Sequence, residues 1–222
     1  MKTLFVGCAC LALACLSCRT EYSATTELTA ATPYVPYDSL SVLLEEVIAS
    51  DQGIRERMEQ AETPDEQMEV YEEMRAIDST NQLIVITMLE RYGWLPESKI
   101  GTRAADALFY AIQHADAATL ELYLPQLQQM ALIGEASKIG AAMMEDRLLM
   151  YQHKKQIYGT QATNTLLEDG TMAIWPIQDH KQVNRLRKKA GFLTTVEENA
   201  IRLHAVYDPE AELPAEDPAE DQ

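Results

Sequence analysis

Between Leu40 and Met150 the apolar residues recur at steps of three and four, and at Gln156 that rhythm stops. A 3.6-residue period buries one stripe of a helix, whereas a period of two buries one face of a strand. A chain that keeps the first period for most of its length and leaves it once, near its end, is committed to a helical domain with a small extended appendix. The spacing predicts a mostly α single domain over residues 38–207, with about seven or eight helices and one small β-hairpin near the C-terminal end.

Local signals divide the helical stretch. Asp38 precedes the row Leu40, Leu43, Leu44, Val47 and Ile48, so a first helix is expected to about Gln60. Asp51 continues that row and stands one turn from Arg55, which suits an inward-facing ion pair. Thr63-Pro64-Asp65-Glu66 is a capping box with proline in the first turn, and it opens a second helix. Asp78-Ser79-Thr80 predicts a new start, leading to a third helix over Leu83, Ile84, Val85, Ile86 and Met88 that is apolar on nearly all sides. Gly93 and Pro96 stop it. A fourth helix runs from about Thr102 to His114. Asp116 caps a fifth, in which Pro125 predicts a kink or break. A sixth runs from about Glu135 to Tyr151, its inward row being Ile139, Ala142, Met143, Asp146, Leu149 and Met150. Runs 156–166 and 171–177 read as strands joined through Glu168-Asp169-Gly170, a hairpin signal. Asp179 and Thr194-Thr195 open two last helices, the second with Ile201, Leu203 and Val206 inward.

The ends read as targeting and tail. Lys2 precedes an apolar run from Leu4 to Ser17, of signal-peptide length and too short to span a bilayer as a mature helix. All four cysteines lie in the first 18 residues, so the folded part has no disulfide framework and no cysteine chemistry. Cys15-Leu16-Ser17-Cys18 resembles the bacterial lipoprotein processing box, with residues 1–17 as signal peptide and Cys18 as the acylated, membrane-anchoring residue. Residues 18–37 then form a tether. From 208 to 222 there are seven acids, three prolines and no base, the composition of a disordered tail. With a net charge of −17, nucleic acid is a disfavoured partner.

The polar residues on apolar rows need a physical reason to be there. Asp146 is a carboxylate among Ile139, Met143 and Met150, where it must be paired. Gln113, His114 and Asp116 crowd one helix–helix corner, and Gln156, Tyr158 and Gln161 stand where the period changes. With Asp51, Arg55 and Arg147 they make a candidate polar pocket. In it, His114 could act as acid or base, oriented by Asp116 or Asp146, and Arg147 could grip a carboxylate or phosphate. The alternative for the same residues is a buried structural network. The histidines lack metal-ligand spacing, and there is no phosphate loop, nucleophile elbow or cysteine nucleophile, so no metal and no cofactor is expected.

The ordered set Asp51-Gln52-x-x-Arg55, Asp78-x-x-Asn81, Tyr92-Gly93-Trp94, Gln113-His114-Ala115-Asp116, Asp146-Arg147, Gln156-x-Tyr158-Gly159-Thr160-Gln161, Trp175-Pro176-Ile177 and Asn184-x-x-Arg187 resembles a bacterial family of uncharacterised proteins bearing a domain of unknown function. The resemblance spans about residues 45–192. The chain departs from it at His153, where the family usually carries a glycine before the basic pair. The resemblance implies these positions but no activity. The expectation is an envelope lipoprotein, anchored most simply in the outer membrane, that binds a peptide or glycan through the polar pocket. The alternatives are a structural envelope protein, or a hydrolase or transferase using His114.

Overall fold

The computed structural model describes residues 34–163, 167 and 170–214. The expected leader, Cys18, most of the tether, the end of the acidic tail and the Glu168-Asp169 turn lie outside the described residues. Eight helices are present among those described: α1 (Tyr37–Gln60), α2 (Pro64–Tyr92), α3 (Glu97–Ile100), α4 (Thr102–Gln113), α5 (Ala117–Leu132), α6 (Lys138–Tyr151), α7 (Val183–Ala190) and α8 (Val196–Arg202). None of them is long and apolar enough to cross a membrane.

Capping chemistry sets most of the starts. The Thr63–Glu66 box is formed in both directions at α2, and Thr195 with Glu198 repeats it at α8. Asp116 accepts from the Thr119 N–H at α5. Ser137, rather than Glu135, starts α6 by accepting from Gly140. The helices α1, α2, α4, α5 and α6 share one large apolar core, in which Leu44, Val85, Leu108, Ile112, Leu120 and Met144 are fully enclosed. A second, smaller core of Ile174, Ile177, Val183, Val196 and Ala200 lies under the C-terminal segments.

Several expectations are corrected. The second and third predicted helices are one helix of 29 residues, and Asp78 does not start a new one. Ser79 and Thr80 return their hydroxyls to the carbonyls of Arg75 and Ala76, so they are absorbed within the ladder. The predicted third helix is not buried all round, since Leu83 is 68% exposed; the most enclosed helix is α4. Helix α5 continues through Pro125 without a break. Ile201 is exposed, and α8 turns Val196, Asn199 and Ala200 inward instead. Asp179 makes only a turn with Lys181 and Gln182 before α7 begins.

The extended appendix is real but paired differently. Strand β1 (Met172–Ala173) runs parallel to β2 (Ala205–Val206). The two predicted hairpin arms still meet in the antiparallel sense: the Thr163 N–H donates to Ala173 O at 2.7 Å, and the Trp175 N–H to Gln161 O at 2.9 Å. They do not extend into a ladder among the described residues, because the backbone N–H groups of Ile157, Tyr158 and Thr160 are directed at Asp146.

At the end of α6, His153 adopts φ 51°, with its N–H on Met150 O and the next N–H, of Lys154, on Leu149 O. This is the two-bond helix stop that favours glycine at the left-handed position. It accounts for the one departure from the resemblance: the loop keeps the glycine conformation with a histidine in it.

Candidate functional site

Asp146 is 0% exposed, and its carboxylate gathers the loop that follows α6. It accepts from the N–H groups of Ile157 (2.8 Å), Tyr158 (3.0 Å) and Thr160 (3.0 Å) and from the Thr160 hydroxyl (2.9 Å). Successive N–H groups can converge on one point because the chain turns through a left-handed residue, Gly159, at φ 68°. Nothing larger fits there: a Cβ on Gly159 would stand 2.5 Å from Val196 Cγ2 and 2.9 Å from Ile177 Cδ1.

The loop is tied off from both ends. The Gln156 amide donates to Gln161 O and Trp175 O and accepts from the Gln161 N–H at 2.9 Å. The Gln161 amide donates back to Met143 O and to the Thr160 hydroxyl. From α7, the enclosed Arg187 donates to Tyr158 O (2.8 Å), Thr194 O and the Thr194 hydroxyl, with its guanidinium 4.4 Å over the Phe192 ring. From α8, Asn199 donates to Gly159 O at 2.9 Å. Burial pushes the Asp146 carboxyl up to about 6, against its four donors, so above that pH it is the carboxylate they are arranged for. Asp146, Thr160 and Gln156 spend their polar groups on one another and on backbone. This lock joins the helical core to the C-terminal segments and offers a ligand no free group.

The other sequence candidates collect elsewhere. On α1, Arg55 pairs with Asp51 and with Asp78 of α2, each at 3.1 Å. Asp51 is 2% exposed; burial raises its carboxyl and Arg55 draws it back down. At the last turn of α4, the His114 carbonyl accepts from Gln82 Nε2 at 3.0 Å. Its imidazole is pulled down to about 3, first by burial and then by the positive fields of Arg55 and Arg147. It is therefore neutral at physiological pH, a hydrogen-bonding ring rather than a proton donor of useful strength. Asp116 spends its carboxylate on the Thr119 N–H at 2.8 Å, and Asp146 spends its own on the loop, so neither orients His114.

Gln113, Tyr123 and Arg147 are where the described residues leave buried polar atoms without partners. Gln113 is 2% exposed, yet neither its amide N nor its amide O has a hydrogen-bond partner among the described residues, and the buried Nε of Arg147 has none either. Helices α4 and α6 pack against each other. Phe109 packs on Gly140, where an added Cβ would be 3.1 Å from its ring, and further along both helices His114 feels Arg147. Gln113 lies one turn past Phe109, on the same face of α4.

The ten candidate positions thus do not form one pocket. Asp146, Gln156 and Gln161 belong to the lock, with the backbone of Tyr158. Asp51 and Arg55 are joined to each other and to Asp78; Gln113, His114 and Arg147 have no bond to the lock among the described residues; and Asp116 is an exposed cap. The Tyr158 phenol instead leans toward Glu145 in a groove of about 310 Å³ between α5, α6 and α7. Arg187 and Asn199 were not among the candidates. Arg187 is hidden in the run Arg185 to Lys189, which reads as a solvated helix end, and only the Asn184-x-x-Arg187 spacing marked it.

A family model described as a family of unknown function, DUF6624, matches residues 39–209, and the chain belongs to that family. No curated protein and no solved structure matches the chain.

Proposed function

We propose that this protein is a lipid-anchored binding module of the cell envelope that takes a peptide or glycan at the corner formed by Arg55, Gln113, His114 and Arg147. The observation that carries the reading is Gln113. A buried amide left without partners costs about 1–3 kcal/mol for each unmet group. A ligand that supplies the missing partners recovers that cost, and the unpaired Nε of Arg147 asks for the same. Support for the anchor comes from the sequence: the apolar run, the small residue before Cys18, and the polar tether after it. The lock around Asp146 takes the structural part of the candidate set. The acid–base alternative has less support, because burial makes the His114 imidazole a weak base and Asp116 and Asp146 spend their carboxylates on other donors.

Two experiments test the reading. Metabolic labelling with a palmitate analogue should tag the chain, and Cys18→Ser should abolish the tag. Titration of the full chain with a peptidoglycan digest should give saturable binding that Gln113→Met and Arg147→Gln both weaken. Absence of binding, or binding indifferent to both substitutions, would sink the proposal.

A further inference from the structure

Residues 208–214, the first stretch of the acidic tail, lie against three basic side chains. Lys155 Nζ meets the Glu212 carboxylate at 2.9 Å, His180 Nε2 stands 3.5 Å from that of Glu210, and His153 Nε2 donates to the Pro214 carbonyl at 2.9 Å. The segment leaves β2 through a turn in which Asp208 accepts from the Glu210 N–H. Beyond it, Ala211 and Leu213 are half-buried while Glu210, Glu212 and Pro214 are exposed, the alternation of an extended segment lying on a surface. The surface beneath is fixed by bonds that do not involve the tail. Segments 153–156 and 175–180 are joined by the Gln156 N–H on Pro176 O and the Gln178 N–H on Gln156 O, each at 2.9 Å, and by the Trp175 indole N–H on Lys154 O at 2.7 Å.

His153 ends α6 at φ 51°, a left-handed backbone that glycine adopts without strain and a side chain does not. What a histidine has there and a glycine lacks is its ring. The ring is spent on Pro214 O and on an edge-on approach to Trp175, with centroids 5.7 Å apart. Strain of this kind persists where surrounding contacts over-determine it, and it clusters at functional positions. The hold on the tail is nonetheless light. The Glu210 and Glu212 side chains are 80% and 83% exposed, and ion pairs so open to water contribute little and weaken with salt. We infer that His153, Lys155 and His180 form a docking site for an extended acidic peptide, and that residues 208–214 occupy it in cis as an exchangeable strap. A competing partner carries carboxylates two residues apart, with apolar residues between and after them, the pattern of Glu210-Ala211-Glu212-Leu213. The inference goes beyond the binding role proposed for Gln113 and Arg147 and stands without it.

The test uses the full chain in three forms: wild type, Glu212→Lys, and the charge exchange Lys155→Glu/Glu212→Lys. The NMR resonance of the Trp175 indole N–H reports the strap in cis, and a fluorescent peptide with the sequence of residues 207–222 reports the site in trans. Glu212→Lys sets a cation against Lys155 without touching the core, so the strap should leave. The indole resonance should then shift, and the peptide should bind about tenfold more tightly than to the wild type, in which the strap masks the site. The exchange should return the indole resonance to its wild-type position, because an ion pair of reversed sign holds the strap again. An indole resonance unmoved by Glu212→Lys, or shifted as much in the exchange, would overturn the strap. Peptide binding that is equal in wild type and Glu212→Lys, or absent from both at low salt, would overturn the docking site.

Discussion

An asparagine at position 146 would place an NH2 group where four donors converge, two of which would then face a donor instead of an acceptor. Asp146→Asn is expected to cost about 3 kcal/mol, read as a lowered urea midpoint. Gly159→Ala meets both a left-handed backbone and the Val196 methyl at 2.5 Å, so it should lower Tm as well, while Gly53→Ala, with nothing within 4 Å, should not. His114 titrates in the opposite sense from Asp146. Its folded value of about 3 lies below the ordinary 6.5, so the unfolded state binds the proton first, and its contribution to stability is lost as pH falls from about 6.5 toward 3. Asp146, raised to about 6 from 3.8, does the reverse, losing its contribution as pH rises between those values. Comparing thermal midpoints of His114→Gln and the wild type isolates the first term: the variant should gain relative stability steadily on acidification from pH 6.5 to 4. A difference independent of pH would mean that His114 is not held neutral in the fold.

Among the elements, the helices were legible wherever a cap and a periodic row coincided, as at Thr63, Asp116 and Thr195. They were misread where a capping residue served another purpose. Asp78-Ser79-Thr80 has the composition of a helix start, but in the fold Asp78 is the second carboxylate of Arg55 and the two hydroxyls fold back on the helix. The hairpin was overread for a related reason: alternation along residues 156–161 looks like a strand, and nothing local reveals that its N–H groups point at a carboxylate ten or more residues earlier. Of the candidate residues, Asp51, Gln113, Asp146, Gln156 and Gln161 are buried, while Asp116 is exposed. Their division into a lock and a corner depends on which face of α6 each one meets, and Asp146 and Arg147, adjacent in sequence, face different ways. At this scale the clearest check is the α2 box: Thr63→Ala should cost about 1 kcal/mol by equilibrium denaturation, since its hydroxyl caps the Glu66 N–H.

For the molecule as a whole, the large helical core and the small C-terminal core are separate apolar clusters, and the loop from Gln156 to Gln161 is bonded to both. The Asp146 lock therefore holds the C-terminal segments to the helices, while the Gln113–Arg147 corner is free of that duty. If the corner exists for a ligand, its polar atoms are a burden on the empty fold. Equilibrium unfolding of Gln113→Met, which keeps the length of the side chain and removes its unmet amide, tests this most directly. The expected result is a variant more stable than the wild type by about 1–3 kcal/mol, together with weakened binding of the peptidoglycan digest. A variant less stable than the wild type would show that the Gln113 amide serves the fold, and would contradict the assignment of the corner to binding.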